Sequence, residues 1–450
     1  MDADNLQPEM VAEQLLDLAT RSGAEAAEVF QSLTVSRPVF FEANRLKQLE
    51  SLQSEGTALR LWYKGQPGLA VAHGSTDAQD LVDRAIALSQ LNAPATAELT
   101  VALQMLYPPV GRTVPVEQLI DWGKEGIALI RDAYPEVLCS AGWEYEVEST
   151  RLLNSQGLDC QHTDTTLSGY IEAEWVRGDD FLGVSDGQVQ RDHLDPIALA
   201  QQILQRLRWA EQTAPSMSGR VPVLFTSKAA DMLWGTVQAA LNGKQVIERA
   251  SPWSDRLGEQ VTSPSLTLSQ QPDLGPFSCP FDDEGTPTRS LVFIQDGTLQ
   301  LFYTDHTVGR RLGNGTTGNG VRPGLSSYPT PGLFNLVIQP SSRKSSGTSG
   351  PLNTKGKSLL ELIATLEDGL VIDQMLGGGA GISGDFSVNV DLGYRVKRGQ
   401  IVGRVKDTMI SGNVYTALKH IVELGDDADW NGSCYTPSLV VEGVSVTGRQ

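Results

Sequence analysis

A change of texture at Thr213-Ala214-Pro215-Ser216-Met217-Ser218-Gly219 divides this sequence. Before it, helical and strand-like spacings are mixed. Apolar residues recur at helical spacing over 8–20 (Val11, Leu15, Leu16, Leu18) and 115–132 (Leu119, Ile120, Ile127, Leu129, Ile130), and a further helix is expected over 196–212. Thr76-Asp77-Ala78-Gln79 is a capping sequence for a helix to about residue 91. Strands are expected over 29–35, 40–49, 58–72, 137–148, 151–162 and 165–176. Without a strict βαβ rhythm, this mixture predicts an α+β domain with an antiparallel sheet over 1–214.

After the divide the pattern is mostly β. Phe386, Val388, Val390 and Leu392 alternate with Ser387, Asn389 and Asp391, the mark of a half-buried strand. Hairpins are expected around Gln295-Asp296-Gly297 and Lys397-Arg398-Gly399-Gln400. A strand over 221–225 leads into a helix over 227–241 that stops at Asn242-Gly243, and shorter helices are expected over 359–366 and 414–422. The expectation for 220–450 is a β-rich domain, barrel- or sandwich-like, with a few helices. Glycine is 45 of 450 residues, which fits many turns between strands. The Ser341–Gly350 stretch is low in complexity and reads as a flexible loop.

Acids outnumber bases 54 to 35, a formal charge of −19, which argues against a surface devoted to nucleic acid or anionic membrane. The basic cluster Arg395, Lys397, Arg398, Arg404 and Lys406 therefore reads as a solvated hairpin. Cys139, Cys160, Cys279 and Cys434 are too scattered for a disulfide framework or a cysteine-rich zinc module. No secretory leader and no apolar run long enough to span a bilayer is read, so a cytoplasmic protein is expected.

Local chemistry signals are weak. Gly379-Ala380-Gly381-Ile382-Ser383-Gly384 matches GxGxxG, but a strand pattern follows it where a dinucleotide loop needs a helix. No GxSxG elbow occurs. No two of the five histidines lie within five residues of each other. Cys160, His162 and Asp164 would share one face of a strand, and all three are metal-ligand types. The acids in Phe281-Asp282-Asp283-Glu284-Gly285 read first as a turn.

Taken in order, several segments resemble the TldD/PmbA family. Pro280-Phe281-Asp282-Asp283-Glu284-Gly285-Thr286-Pro287 is similar to its FDDEG-x-P segment, and Gly313-Asn314-Gly315-Thr316-Thr317-Gly318-Asn319 to its TTGN segment. Gly377-Gly378-Gly379 with Ser383-Gly384-Asp385-Phe386-Ser387 resembles its GG…TGDFS stretch. Ile410-Ser411-Gly412-Asn413 with Ile421-Val422 resembles its close, and Asn154-Ser155-Gln156-Gly157 its NS-x-G hairpin. The resemblance implies cytoplasmic proteins that pair as a TldD-type and a PmbA/TldE-type subunit. Together they form a zinc metallopeptidase acting on unfolded or extended peptides. The TldD type carries H-E-x-x-x-H on a helix and a cysteine near the C-terminus.

This sequence departs at that helix. The motif positions fall on Gly235, Thr236 and Ala240, and no histidine lies between His193 and His306. The expectation is a PmbA/TldE-type subunit with no catalytic residue and no metal of its own, zinc being held by a TldD-type partner. Candidate peptide contacts are Gly377, Gly378, Gly379, Gly381, Thr316 and Thr317, where glycine lets backbone approach backbone. The alternative is a stand-alone peptide-binding or regulatory homodimer; the family's older label, modulator of DNA gyrase, points that way. Neither nucleic acid nor membrane is expected as a partner.

Overall fold

The structure is a computed structural model and describes residues 11–101, 103–341, 356–377 and 379–448. The first half is built on a nine-stranded sheet whose spine is one long hairpin, Leu138–Asn154 and Asp159–Arg177, paired from Leu138↔Glu174 to Leu153↔Asp159. Sequence spacing suggests three shorter strands here. The breaks do not form because the polar residues at them satisfy one another across the ladder, as Ser149 Oγ and Thr163 Oγ1 do at 3.0 Å. The true turn lies at Gln156-Gly157, where Asn154 Oδ1 accepts from the backbone of Gln156 and Leu158 and Gly157 takes φ +89°. A strand not anticipated from sequence, Asp180–Gln190, extends the sheet beyond Asp159–Arg177.

Ala26–Ser36 joins the spine to Leu52–Tyr63, and Val39–Glu42 pairs with it alongside. Residues 40–49 and 58–72 each contain a tight hairpin, with Ala43-Asn44 and Lys64-Gly65 at positive φ. Two consecutive left-handed residues match the right-handed twist of the flanking strands. The sheet is antiparallel apart from the short strand Gln104–Leu106.

Helices cover one face of this sheet. Val11–Arg21 and Ala78–Ser89 pack around Leu15, Leu59, Leu61 and Leu81. Val116–Ala133 and Pro196–Trp209 pack around Trp143, Ile171 and Ile203. Asp77 rather than Thr76 caps the second helix, its carboxylate accepting from the Asp80 N–H at 3.0 Å.

The second half contains a five-strand ring. Gly219–Phe225 pairs in parallel with Asp368–Leu376, that strand with Asp385–Lys397, Asp385–Lys397 with Thr408–Asn413, and Thr408–Asn413 with Leu439–Gly448. Leu439–Gly448 then pairs back onto Gly219–Phe225 and closes the ring. The alternating strand read from Phe386 to Leu392 runs on to Lys397, and a register shift keeps Gly393, Tyr394 and Val396 buried. The helix expected over 414–422 stops at Ala417. Ile421–Leu424, rich in residues that favour extended backbone, returns as a strand on Leu439–Gly448.

A six-stranded sheet, centred on Leu266–Gln270 and Leu336–Pro340, lies beside the ring. Helix Ser227–Leu241 packs against both. The two halves share one apolar core that runs from Trp143, Ile171 and Ile203 to Val371, Leu392, Tyr394 and Val440. Arg206 crosses the same boundary, ion-paired with Asp186 and Asp373 at 2.8 Å each. Among the described residues no helix is long and apolar enough to cross a membrane. Of the low-complexity segment only Ser341 falls within the described residues.

Candidate functional site

Helix Ser227–Leu241 is capped by Thr226, whose hydroxyl accepts from the Ala229 N–H at 3.3 Å. Ala229, Ala230, Leu233, Trp234, Val237, Ala240 and Leu241 bury its apolar face, and Trp234 Nε1 donates to Thr436 Oγ1 at 2.7 Å. The three singled-out positions point differently. Gly235 is exposed, and a β-carbon there would meet open space. Thr236 is buried, its hydroxyl donating to the Ala380 carbonyl at 3.0 Å. Ala240 is fully buried in the core.

That hydroxyl contact sets the glycine-rich loop against the helix. A β-carbon on Gly379 would stand 3.5 Å from Met232 Cγ, while Gly377 and Gly381 would meet nothing. Gly378 lies outside the described residues. The far end of the loop is tied by Tyr415, whose hydroxyl donates to the Ile382 carbonyl at 2.7 Å, and by Asn413 Nδ2, which donates to the Ser383 carbonyl at 2.9 Å. The GxGxxG stretch therefore leads into strand Asp385–Lys397, as its neighbours predict.

Beside loop and helix lies a groove of about 470 Å³ lined by Lys228, Asp231, Met232, Gln374, Gly377 and Gly379. Lys228 Nζ donates to the Ser185 carbonyl, and lies 3.4 Å from Gln374 Oε1, which accepts from the Ser185 N–H at 2.9 Å. Burial lowers the pKa of Lys228 despite nearby Asp186 and Asp373. The groove thus has a fixed amine at one end and bare backbone at the other. Lys228, Gln374 and Ser185 were not foreseen. The one local signal is Lys228 followed by Asp231 in the first turns of a helix that is mostly apolar; the lysine's partners come from remote strands.

Thr316 and Thr317 are not in this groove. Both hydroxyls donate to the Thr304 carbonyl, at 3.2 and 3.0 Å, and so build a turn. The neighbouring Gly320 locks onto the acidic segment instead, while Asn319 bonds Gln270 and the Gly332 carbonyl. Asp282 Oδ2 accepts from the Gly320 N–H at 2.8 Å, and Oδ1 accepts from Glu284 and Thr286. Glu284 accepts from the His306 N–H at 2.8 Å. The acids of 282–284 therefore organise a turn. Burial pushes Asp282 up to about 7, against the pull of those three N–H donors.

The residues at the motif positions do not fit a zinc ion. Gly235 and Ala240 have no donor atom, and the Thr236 hydroxyl is engaged by Ala380. Cys434 is 2% exposed, and burial raises its thiol pKa, which disfavours the thiolate a metal needs. Cys160, His162 and Asp164 do share a face of Asp159–Arg177, but Asp164 is paired with Arg191 through both oxygens. Among the described residues no three potential ligands converge.

Residues 218–448 match the model described as the PmbA/TldA metallopeptidase C-terminal domain, and residues 27–89 match domain 1 of the same family. The chain belongs to the TldD/PmbA metallopeptidase family. It is 26% identical over 297 residues to metalloprotease PmbA of Escherichia coli O157:H7, covering 63% of this chain and 60% of that protein. It is 24% identical over 322 residues to the PmbA homologue of Haemophilus influenzae, covering 66% of each. The matches thus span a little under two thirds of these relatives' length. The crystal structure of TldE from Thermococcus kodakarensis superposes with a TM-score of 0.88 at 23% identity, covering 98% of this chain and all of that one, and shares the fold.

Proposed function

We propose that this chain is a PmbA/TldE-type, non-catalytic subunit of a two-subunit zinc metallopeptidase that acts on unfolded or extended peptides in the cytoplasm. One observation carries the reading. The helix that should hold the metal is intact, capped and well packed, yet its motif positions present a bare glycine, an engaged threonine and a core alanine. In this reading zinc sits in a TldD-type partner. This chain supplies part of the wall around the peptide, with the groove beside Gly377 and Gly379 giving backbone access. Four free cysteines, three of them buried, fit a reducing compartment.

The test is to purify the chain alone and with a TldD-type protein from the same cell, then measure bound zinc and cleavage of an unfolded peptide. The expected result is neither zinc nor cleavage alone, and a complex whose cleavage needs both proteins. Stoichiometric zinc with cleavage by the chain alone would sink the proposal. Failure to bind the partner or to alter its cleavage would favour a stand-alone peptide-binding homodimer.

A further inference from the structure

A second cavity, of about 360 Å³, opens on the sheet face opposite the helices. Its floor is set by register. Ser32 pairs with Thr150 and Thr150 with His162, while Glu148 pairs with Asp164 two residues along. The loop through Phe277, Cys279, Phe281 and Asp283 and the segment from Arg322 to Leu325 close it from above. Phe30, Phe281 and Leu325 make one end apolar, and Glu148, Asp164 and Asp283 make the other end acidic.

Two observations mark this cavity as a site. His162 is 8% exposed, lines the cavity, and among the described residues has no hydrogen-bond partner on either ring nitrogen. Tyr107 meets its ring edge-on at 6.4 Å between centroids. A buried imidazole without partners is costly and persists where something else supplies the bond. The second observation is the charge balance. Arg191 answers Asp164, and Arg322 and Arg60 share Glu28, at 2.6 and 2.9 Å. Among the described residues Asp283 accepts the backbone N–H of Arg322, at 2.6 Å, and Glu148 faces the cavity in no ion pair, with the Ser32 side chain as its hydrogen-bond partner. The wall is left with excess negative charge beside an apolar surface. The potential ligands do not converge as a metal ion requires.

We propose that this cavity binds a primary ammonium carried on an apolar body, the chemistry shared by a peptide N-terminus and a small aromatic amine. The ammonium sits between Glu148 and Asp283, the body lies on Phe30, Phe281 and Leu325, and the neutral His162 ring accepts one ammonium hydrogen bond. The inference needs no partner subunit, so it stands or fails separately from the function proposed above.

The experiment is calorimetric titration of the purified full chain with phenylalaninamide, its N-acetyl derivative and the tripeptide amide Phe-Gly-Gly-NH2. Saturable binding of phenylalaninamide is expected, with at least about 10-fold loss on N-acetylation and a similar loss in Glu148→Gln. A second variant, His162→Phe, keeps the floor apolar and folded while removing the acceptor, and should also weaken binding. Tighter binding of the tripeptide amide assigns the site to a peptide terminus; tighter or equal binding of the single amine assigns it to small amines. Absent saturation, equal affinity for the N-acetyl compound, or unchanged affinity in Glu148→Gln overturns the proposal.

Discussion

Arg206→Met should loosen the joint between the two halves by a large amount. The arginine side chain is 10% exposed, and it holds Asp373 (0%) and Asp186 (13%) at 2.8 Å each. Burial opposes its charge, but those two carboxylates more than offset this and raise its pKa. Methionine keeps the apolar stem and removes the charge, which strands Asp373 from water and from its partner. Breaking a buried pair in this way costs about 3–5 kcal/mol. Urea unfolding, followed by circular dichroism and tryptophan fluorescence, reads this directly. Adding Asp373→Leu should recover much of the midpoint shift. A loss below about 1 kcal/mol would refute the view that the boundary depends on charge pairing rather than on apolar packing alone.

Gly235→Ala should stabilise by about 0.5–1 kcal/mol, because the helix gains a better former in open space. Gly384→Ala should cost about 2 kcal/mol, since φ is +82° and the new carbon would lie 2.6 Å from the Tyr415 ring; thermal melts check both. Burial first, then Arg191, push His162 from 6.5 down to about 4. Between those values the unfolded chain binds the extra proton, so stability falls as pH drops through that window, by up to about 3 kcal/mol. His162→Phe should lose less than the parent chain over the same acid titration.

Period-2 alternation at Phe386–Leu392, the turn residues Arg398-Gly399, and helical spacing with a stop at Ser227–Leu241 are local signals, and each was legible, whereas the turn at Lys64-Gly65 was hidden in what reads as one strand. The long hairpin was not, because Ser149 and Thr163 look like breakers until they hydrogen-bond across the strands. Bare positions in the helix could be read directly. The groove could not, since Lys228 meets Ser185 and Gln374 only through tertiary packing. Thr316 and Thr317 show the opposite limit. A recognisable segment suggested a contact surface, while its hydroxyls serve a turn. His162 was visible as one of three alternating side chains; that it stays unpartnered depends on the loop folded over it.

The closed ring also sets a timetable for synthesis. Gly219 pairs with Val446, so the strand leaving the linker has one edge unsatisfied until Leu439–Gly448 arrives. At roughly 5–20 residues per second that interval lasts on the order of 10–45 s. Throughout it an apolar strand, Val221 to Phe225, offers unpaired backbone to any passing segment. The first half cannot wait in finished form either, because Val371, Leu392, Tyr394 and Val440 complete its core. Nascent chains should therefore stay dependent on chaperones until late in translation, and a stop codon before Leu439 should yield aggregates rather than a smaller folded protein.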